Sequence, residues 1–245
     1  MGSIVHENDK EKGSSLTTAF LPLNICLQDR LVIVFGGNQD AFVEIVKVLD
    51  AGSRVLCVAK GAESQIQALK VTHGTRLTLL RQSAEDFLAN IGEHLKGESK
   101  APALMLSFIH DGKVSELVAD YGRSHKLPVF VQYRPDLTDF SLPTLIKRGH
   151  LKVSVSTDGI LPCLEKALLS RLEATVHGEF DRMTIFVSQV EERLFLAYPE
   201  DPESRARVMG ALEEDEDFGQ AVKRMSFDEA LRLLDHKLAN SEAKV

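Results

Sequence analysis

The stretch LVIVFGGNQDAFVEIVKVLDAGSRVLCVAK, residues 31–60, decides how the rest of the chain is read. Its leading apolar run, LVIVF, is short and rich in β-branched residues, as a buried strand is. Gly36-Gly37 makes a turn, and a helix follows to about Leu49 with Phe42, Ile45, Val46 and Leu49 on one face at helical spacing. Ala51-Gly52 stops that helix, and VLCVA (55–59) is a second apolar strand. Strand, glycine turn, helix and strand make the opening βαβ unit of a dinucleotide-binding sheet. The full fingerprint is G-x-G-x-x-G/A: its middle glycine lets the backbone approach a pyrophosphate, and its last small residue lets helix pack on strand. Gly36 and Ala41 occupy the outer positions and Asn38 the middle one. Asn is the non-glycine residue that best tolerates positive φ, which preserves the turn, while its side chain crowds a pyrophosphate.

The alternation continues downstream. Glu63 to about Leu69 predicts a short helix, RLTLLR (76–81) a third strand, and Ser83 to about Leu95 a helix. LMLSFI (104–109) predicts a fourth strand, Lys113 to His125 a helix, and LPVFVQY (127–133) a fifth strand. Strands alternating with helices at this spacing predict an α/β fold with a parallel, doubly wound, Rossmann-like sheet. The pattern then changes. LTDFSLPTLI (137–146) and LKVSVS (151–156), joined by Lys147-Arg148-Gly149-His150, read as a β-hairpin-like element outside that sheet. Pro162 opens a helix over 162–173, where its missing N–H does no harm, and further helices follow at about 180–197, 201–213, 218–224 and 227–240. The acidic run EEDED (213–217) reads as a solvated segment between helices. The expected plan is a polar, disordered tail over 1–18, a dinucleotide-binding domain over 19–135, the hairpin element over 136–175 and a helical domain over 176–245.

Net charge is −7, so no overall basic field exists to attract nucleic acid or anionic lipid. Cys26, Cys57 and Cys163 lie far apart, without the spacing of a disulfide framework or a zinc site. The N-terminus lacks the apolar stretch of a signal peptide, and no apolar run approaches the ~18 residues that span a membrane. A cytoplasmic protein with neither a nucleic-acid nor a membrane partner is expected.

Four segments carry a resemblance to a known family: FLPLNICLQDRLVIVFGG (20–37), LDAGSRVLCVA (49–59), LPVFV (127–131) continued by PDLTDFSLPTLIKRGHLKVSVSTDG (135–159), and PCLEKALLSRLE (162–173). The third contains F-x-x-P-x-x-x-x-R-G-x-L-x-V-x-x-S-T-x-G, which no general folding rule demands. With these pieces the chain resembles the precorrin-2 dehydrogenase and sirohydrochlorin ferrochelatase family, the siroheme-synthase type, over roughly residues 20–175. The resemblance implies a dinucleotide-binding domain, a small dimerisation element and a C-terminal helical domain, assembled as an interlocked homodimer. It implies NAD-dependent oxidation of precorrin-2 to sirohydrochlorin, with insertion of ferrous iron in some members. It also implies a cofactor site around Gly36, Gly37, Asn38, Ala41 and Ile109.

Several positions depart from the family pattern. The usual G-G-G turn is Gly36-Gly37-Asn38. A Thr that usually ends the fourth strand is Ile109, and an Asn on the following helix is Ser115. An Asp used for dehydrogenation and chelation is replaced by Tyr133, whose phenol is a poor substitute for a carboxylate base at neutral pH. Asp136 and Asp139 are the candidate replacements. His110-Asp111, after the fourth strand, reads either as a substitute acid/base or metal ligand or as a polar loop. Lys60 follows the second strand, where an acid often marks NAD specificity and a basic residue favours the 2′-phosphate of NADP. Arg148 reads as a partner for a tetrapyrrole carboxylate or as a turn or dimer contact. Ser156 and Thr157 read as part of an anion-binding turn or as a loop with its own local hydrogen bonds. Three functions remain open: an active precorrin-2 dehydrogenase with altered site residues, a non-catalytic tetrapyrrole- or partner-binding homologue, and a metal chelatase alone.

Overall fold

A computed structural model describes residues 20–98, 100–148, 151–158 and 160–242; the predicted tail over 1–18, the turn Gly149-His150 and Gly159 lie outside them. The chain divides into two compact units, one running up to Leu142 and including Asp158–Ile160, the other comprising Pro143–Thr157 and the chain from Leu161 onward.

In the first unit, β1 (Leu31–Phe35), β2 (Arg54–Val58), β3 (Leu77–Leu80), β4 (Leu104–Ser107) and β5 (Val129–Val131) form one sheet in the order β3-β2-β1-β4-β5. Every pairing is parallel. Strand β1 is buried along its whole length, because a parallel sheet is covered on both faces. Its residues alternate between two cores. Val32 and Val34 pack with Ala41, Ile45 and Leu49 of α1 (Gln39–Asp50) and Ile66 of α2 (Ser64–His73). Ile33 and Phe35 pack with Phe87 of α3 (Ala84–Ala89), Ile91 of α4 (Ile91–His94) and Val118 of α5 (Gly112–His125). Each fully buried side chain of this size contributes roughly 1.5–3 kcal/mol, so the sandwiched sheet holds the unit together. The strand order reverses between β1 and β4, which places a ligand crevice at their carboxyl ends.

In the second unit, β6 (Thr144–Arg148) and β7 (Leu151–Val155) pair antiparallel, and α6 (Pro162–Ala197), α7 (Pro202–Glu213), α8 (Glu216–Lys223) and α9 (Phe227–Glu242) follow. Leu169 of α6 packs on Ile146 of the hairpin. Val190 and Leu194, farther along the same helix, pack with Leu212 of α7 and Leu231 and Leu234 of α9.

The doubly wound sheet has the expected strands. Three local expectations are corrected. The helix expected from Ser83 to Leu95 breaks at Asn90, which leaves the helical region at φ −124. There its side-chain amide donates to the Asp86 carbonyl at 3.1 Å, a local bond that competes with the helix ladder. Helix α6 runs unbroken through 174–179, a stretch containing Gly178 that lies between the two helices expected over 162–173 and about 180–197. A glycine in a helix interior costs only about 1 kcal/mol, and this helix is anchored by a separate apolar core toward each end. The EEDED run is not a plain linker: Asp215 caps α8 by accepting from the Phe218 N–H at 3.1 Å, and Glu216 and Asp217 form the first turn of that helix.

Candidate functional site

The glycine turn joins β1 to α1 at the carboxyl edge of the sheet. Gly36 has φ +112 and donates its N–H to the Val58 carbonyl at 3.0 Å, and a Cβ there would stand 3.2 Å from the Phe108 backbone. Gly37 is tighter: a Cβ would come within 2.2 Å of the Gly61 carbonyl oxygen. Both glycines are therefore required by backbone approaching backbone. Asn38 corrects the sequence expectation, since its φ is −86 and not positive. It is the N-cap of α1: Oδ1 accepts from the Ala41 N–H at 3.0 Å, and Nδ2 donates to the Phe108 carbonyl at 3.1 Å. The carboxamide thus ties the start of α1 to the end of β4 and occupies one of the N–H groups an anion would use. Asp40, also in the first turn, accepts from Gln132 Nε2 at 2.9 Å. A carboxylate at a helix N-terminus favours the helix and repels a second anion. Ala41 is fully buried against the sheet, as the last fingerprint position requires.

A cavity of about 300 Å³ opens beside this turn, lined by Gly36, Gly37, Lys60, Ser83, Ile109 and Asp111 among others. Ile109 is part of this wall and packs against the core beneath it, and its carbonyl accepts from the Ser115 hydroxyl at 3.2 Å. Asp111 caps α5, with Oδ1 accepting from the Lys113 N–H at 2.9 Å and the Val114 N–H at 3.3 Å. A second cavity of about 450 Å³ is lined by Gln67 and Lys70 of α2, by Cys57, Ala59, Leu79 and Leu80 at the ends of β2 and β3, and by Arg81. Ala59 lines both. Burial pushes the Cys57 thiol up to about 12, so it stays protonated at neutral pH and is an inert wall. These residues fit a nicotinamide dinucleotide: the glycine backbone lines the cleft, a twelve-residue helix starts beside it, and basic side chains border the end of β2.

On the β5 side, Tyr133 sits at φ +62, is 72% exposed, and stacks its ring on His110 with centroids 5.8 Å apart. Neither candidate replacement acid is a free base. Arg134 grips Asp136 with two bonds, at 2.9 and 2.7 Å, and that guanidinium holds the Asp136 carboxyl below the usual carboxylate range. Asp139 accepts from the Val129 N–H at 2.9 Å, at the amino end of β5 and therefore away from Tyr133. With Thr138, whose hydroxyl bonds both polar backbone groups of Val131, it covers the free edge of that strand. Among the described residues, no group of three or more His, Cys, Asp and Glu could hold a metal ion, so His110 and Asp111 stand without further ligands.

The remaining predicted residues belong to the second unit. Arg148 forms an ion pair with Glu173, and Ser156 is exposed after β7. Thr157 donates its N–H and hydroxyl to Glu165 Oε1 at 2.7 and 2.8 Å, and Thr144 donates to Glu165 Oε2 at 3.1 Å. The Thr157 hydroxyl also accepts from the Leu161 N–H at 3.0 Å, so this turn satisfies its own polar groups. Glu165 is 4% exposed; burial raises its pKa, yet the Thr157 and Thr144 bonds bring it net below the ordinary value. Sequence reasoning missed Glu165. The available signal was an acidic residue in the first turn of a Pro-initiated helix, just after a Ser-Thr pair.

Residues 23–144 match a family model described as "Putative NAD(P)-binding". The siroheme synthase of Methylococcus capsulatus is 32% identical over 181 residues, covering 74% of this chain and 36% of that protein. The siroheme synthase of Nitrosospira multiformis is 28% identical over 176 residues, covering 71% and 35%. The chain thus spans about a third of the length of these curated relatives. Among solved structures, the precorrin-2 dehydrogenase SirC matches with a TM-score of 0.57 at 18% identity, covering 89% of this chain and 100% of that one, a likeness of fold. Among the described residues, no helix is long and apolar enough to cross a membrane.

Proposed function

The chain belongs to the precorrin-2 dehydrogenase and siroheme-synthase family, and from that premise we propose that it oxidises precorrin-2 to sirohydrochlorin in siroheme biosynthesis. The observation that carries this reading is the cleft at the carboxyl edge of the sheet, where the strand order reverses and the Gly36-Gly37 backbone forms the wall. A bound nicotinamide dinucleotide would take the hydride from the macrocycle, and the accompanying proton leaves to a base or to water. Gly36 and Gly37 let the dinucleotide approach, Ile109 supplies an apolar wall, and the fully buried Ala41 keeps α1 close to the sheet. Because Arg134 holds Asp136 and Val129 holds Asp139, the proton goes to bulk water, and turnover is slow.

Tyr133 favours a second reading, a homologue that binds the tetrapyrrole without oxidising it, since an exposed phenol replaces the family's acid. The chelatase reading has less support: His110 stacks on Tyr133, and Asp111 is committed to capping α5. Leu164, Leu168 and Leu172 recur every fourth residue along α6 and stay 42%, 40% and 41% exposed, an apolar stripe that supports burial against a second copy of the chain. Sedimentation analysis should find a dimer; a monomer at all concentrations would oppose it. The function itself is tested by anaerobic incubation with precorrin-2 and NAD or NADP, following sirohydrochlorin and reduced nicotinamide together. Equal formation of both is expected. Macrocycle binding without turnover would favour the second reading.

A further inference from the structure

We propose that the cavity between α2 and the carboxyl ends of β2 and β3 receives a ribose 2′-phosphate, so that the chain takes NADP(H) in preference to NAD(H). The inference rests on the dinucleotide-dependent reading above and names its cofactor. In a doubly wound sheet the adenosine ribose lies over the end of β2, where NAD enzymes place an acid on the 2′-hydroxyl. Here β2 runs into Ala59-Lys60-Gly61-Ala62, with no carboxylate before Glu63, and Glu63 does not line the cavity.

Two cations converge on that space from different elements: Lys70 from α2 and Arg81 from just beyond β3. Lys60 borders the neighbouring cavity across Ala59. No carboxylate lines the 450 Å³ cavity, and neither the Lys70 nor the Arg81 side chain has a hydrogen bond or ion pair with another described residue. Cys57, Ala59, Leu79 and Leu80 supply apolar walls, which strengthen attraction between the cations and an anion. A guanidinium suits a phosphate because its planar fork matches two oxygens at once, and an ammonium adds a point charge. The pyrophosphate seat at α1 is weakened by Asn38 and Asp40, so the strongest attraction for phosphate lies on this rim.

The test is a titration of the full chain with NADPH and with NADH, following fluorescence of the bound nicotinamide, with adenosine 2′,5′-bisphosphate and AMP as competitors. NADPH should bind tighter on the order of tenfold, matching one charge-assisted contact. The bisphosphate should compete better than AMP. Arg81→Gln and Lys70→Gln should each weaken NADPH several-fold and leave NADH unchanged. NADH binding as tightly as NADPH would overturn the inference while leaving the dehydrogenase reading intact. Equal weakening of both nucleotides by Arg81→Gln would also overturn it. Binding of neither nucleotide would remove the dinucleotide reading itself, and this inference with it.

Discussion

Two rims of the same sheet edge treat negative charge in opposite ways. At the start of α1, Asn38 caps the helix with its own carboxamide and Asp40 adds a carboxylate, so the chain supplies the anion that a helix N-terminus attracts. At the ends of β2 and β3, Lys70 and Arg81 line a cavity with no carboxylate in its walls, and Lys60 borders the neighbouring one. The contrast shows that a lost fingerprint glycine need not mean a lost turn. Asn38 replaces the missing flexibility with two hydrogen bonds, and the turn stays closed through Gly36 and Gly37. What changes is where the edge holds phosphate.

The contrast can be broken by substitution, beginning with the turn both rims share. Gly37→Ala drives a Cβ to 2.2 Å from the Gly61 oxygen, where backbone meets backbone and no side chain can yield. A loss of about 3 kcal/mol or more in unfolding free energy is expected by denaturant titration. An unchanged midpoint would show that the two loops are not in close contact. Tyr133→Asp separates chemistry from grip: it adds a carboxylate at a left-handed position that Asp tolerates better than Tyr. Its dehydrogenation rate should rise on the order of 10²-fold with nucleotide affinity unchanged. No gain, with nucleotide bound, would acquit Tyr133 of limiting turnover.

Asn38 offers a finer cut. Asn38→Ala should lower stability by about 1 kcal/mol, and Asn38→Gly by only a few tenths. Both variants free the Ala41 N–H from the carboxamide and glycine also removes the Cβ, so both should bind NADH and NADPH more tightly in the fluorescence titration, the glycine variant more so. If alanine and glycine behave alike in stability, the capping role of Asn38 is refuted. The smallest effect belongs to Asp40→Asn, which removes one like charge from the helix start. Dinucleotide affinity should improve roughly two- to fivefold at low salt, and the gain should shrink as salt is added.

Much of this was legible beforehand. LVIVF and VLCVA carry the strand signal and the Phe42–Leu49 helix its own period, so the βαβ unit and the parallel, doubly wound sheet of an α/β fold followed from pattern alone, whereas the strand order did not. Asn38 was legible in kind but misread in role: a residue before a helix is a capping signal, and the glycine fingerprint drew it toward positive φ instead. The unbroken α6 was not legible, because its continuity through 174–179 is set by packing at distant positions along the helix and not by a local signal. Asp139 illustrates the same limit from the other side. Its proximity to Tyr133 in sequence disappears once β5 carries the two toward opposite ends of the strand. Lys60 stood out in the sequence, whereas Lys70 and Arg81 meet only because α2 folds back over β3.

The most direct measurement is amide chemical-shift mapping of the isotopically labelled chain on addition of NADP. The largest shifts should fall on Ala59–Ala62, Lys70 and Arg81, with smaller ones at Gln39–Ala41. Shifts centred on Gln39–Ala41 with none at Lys70 and Arg81, or no shifts at all, would contradict the division of the edge into a closed rim and a phosphate-holding one.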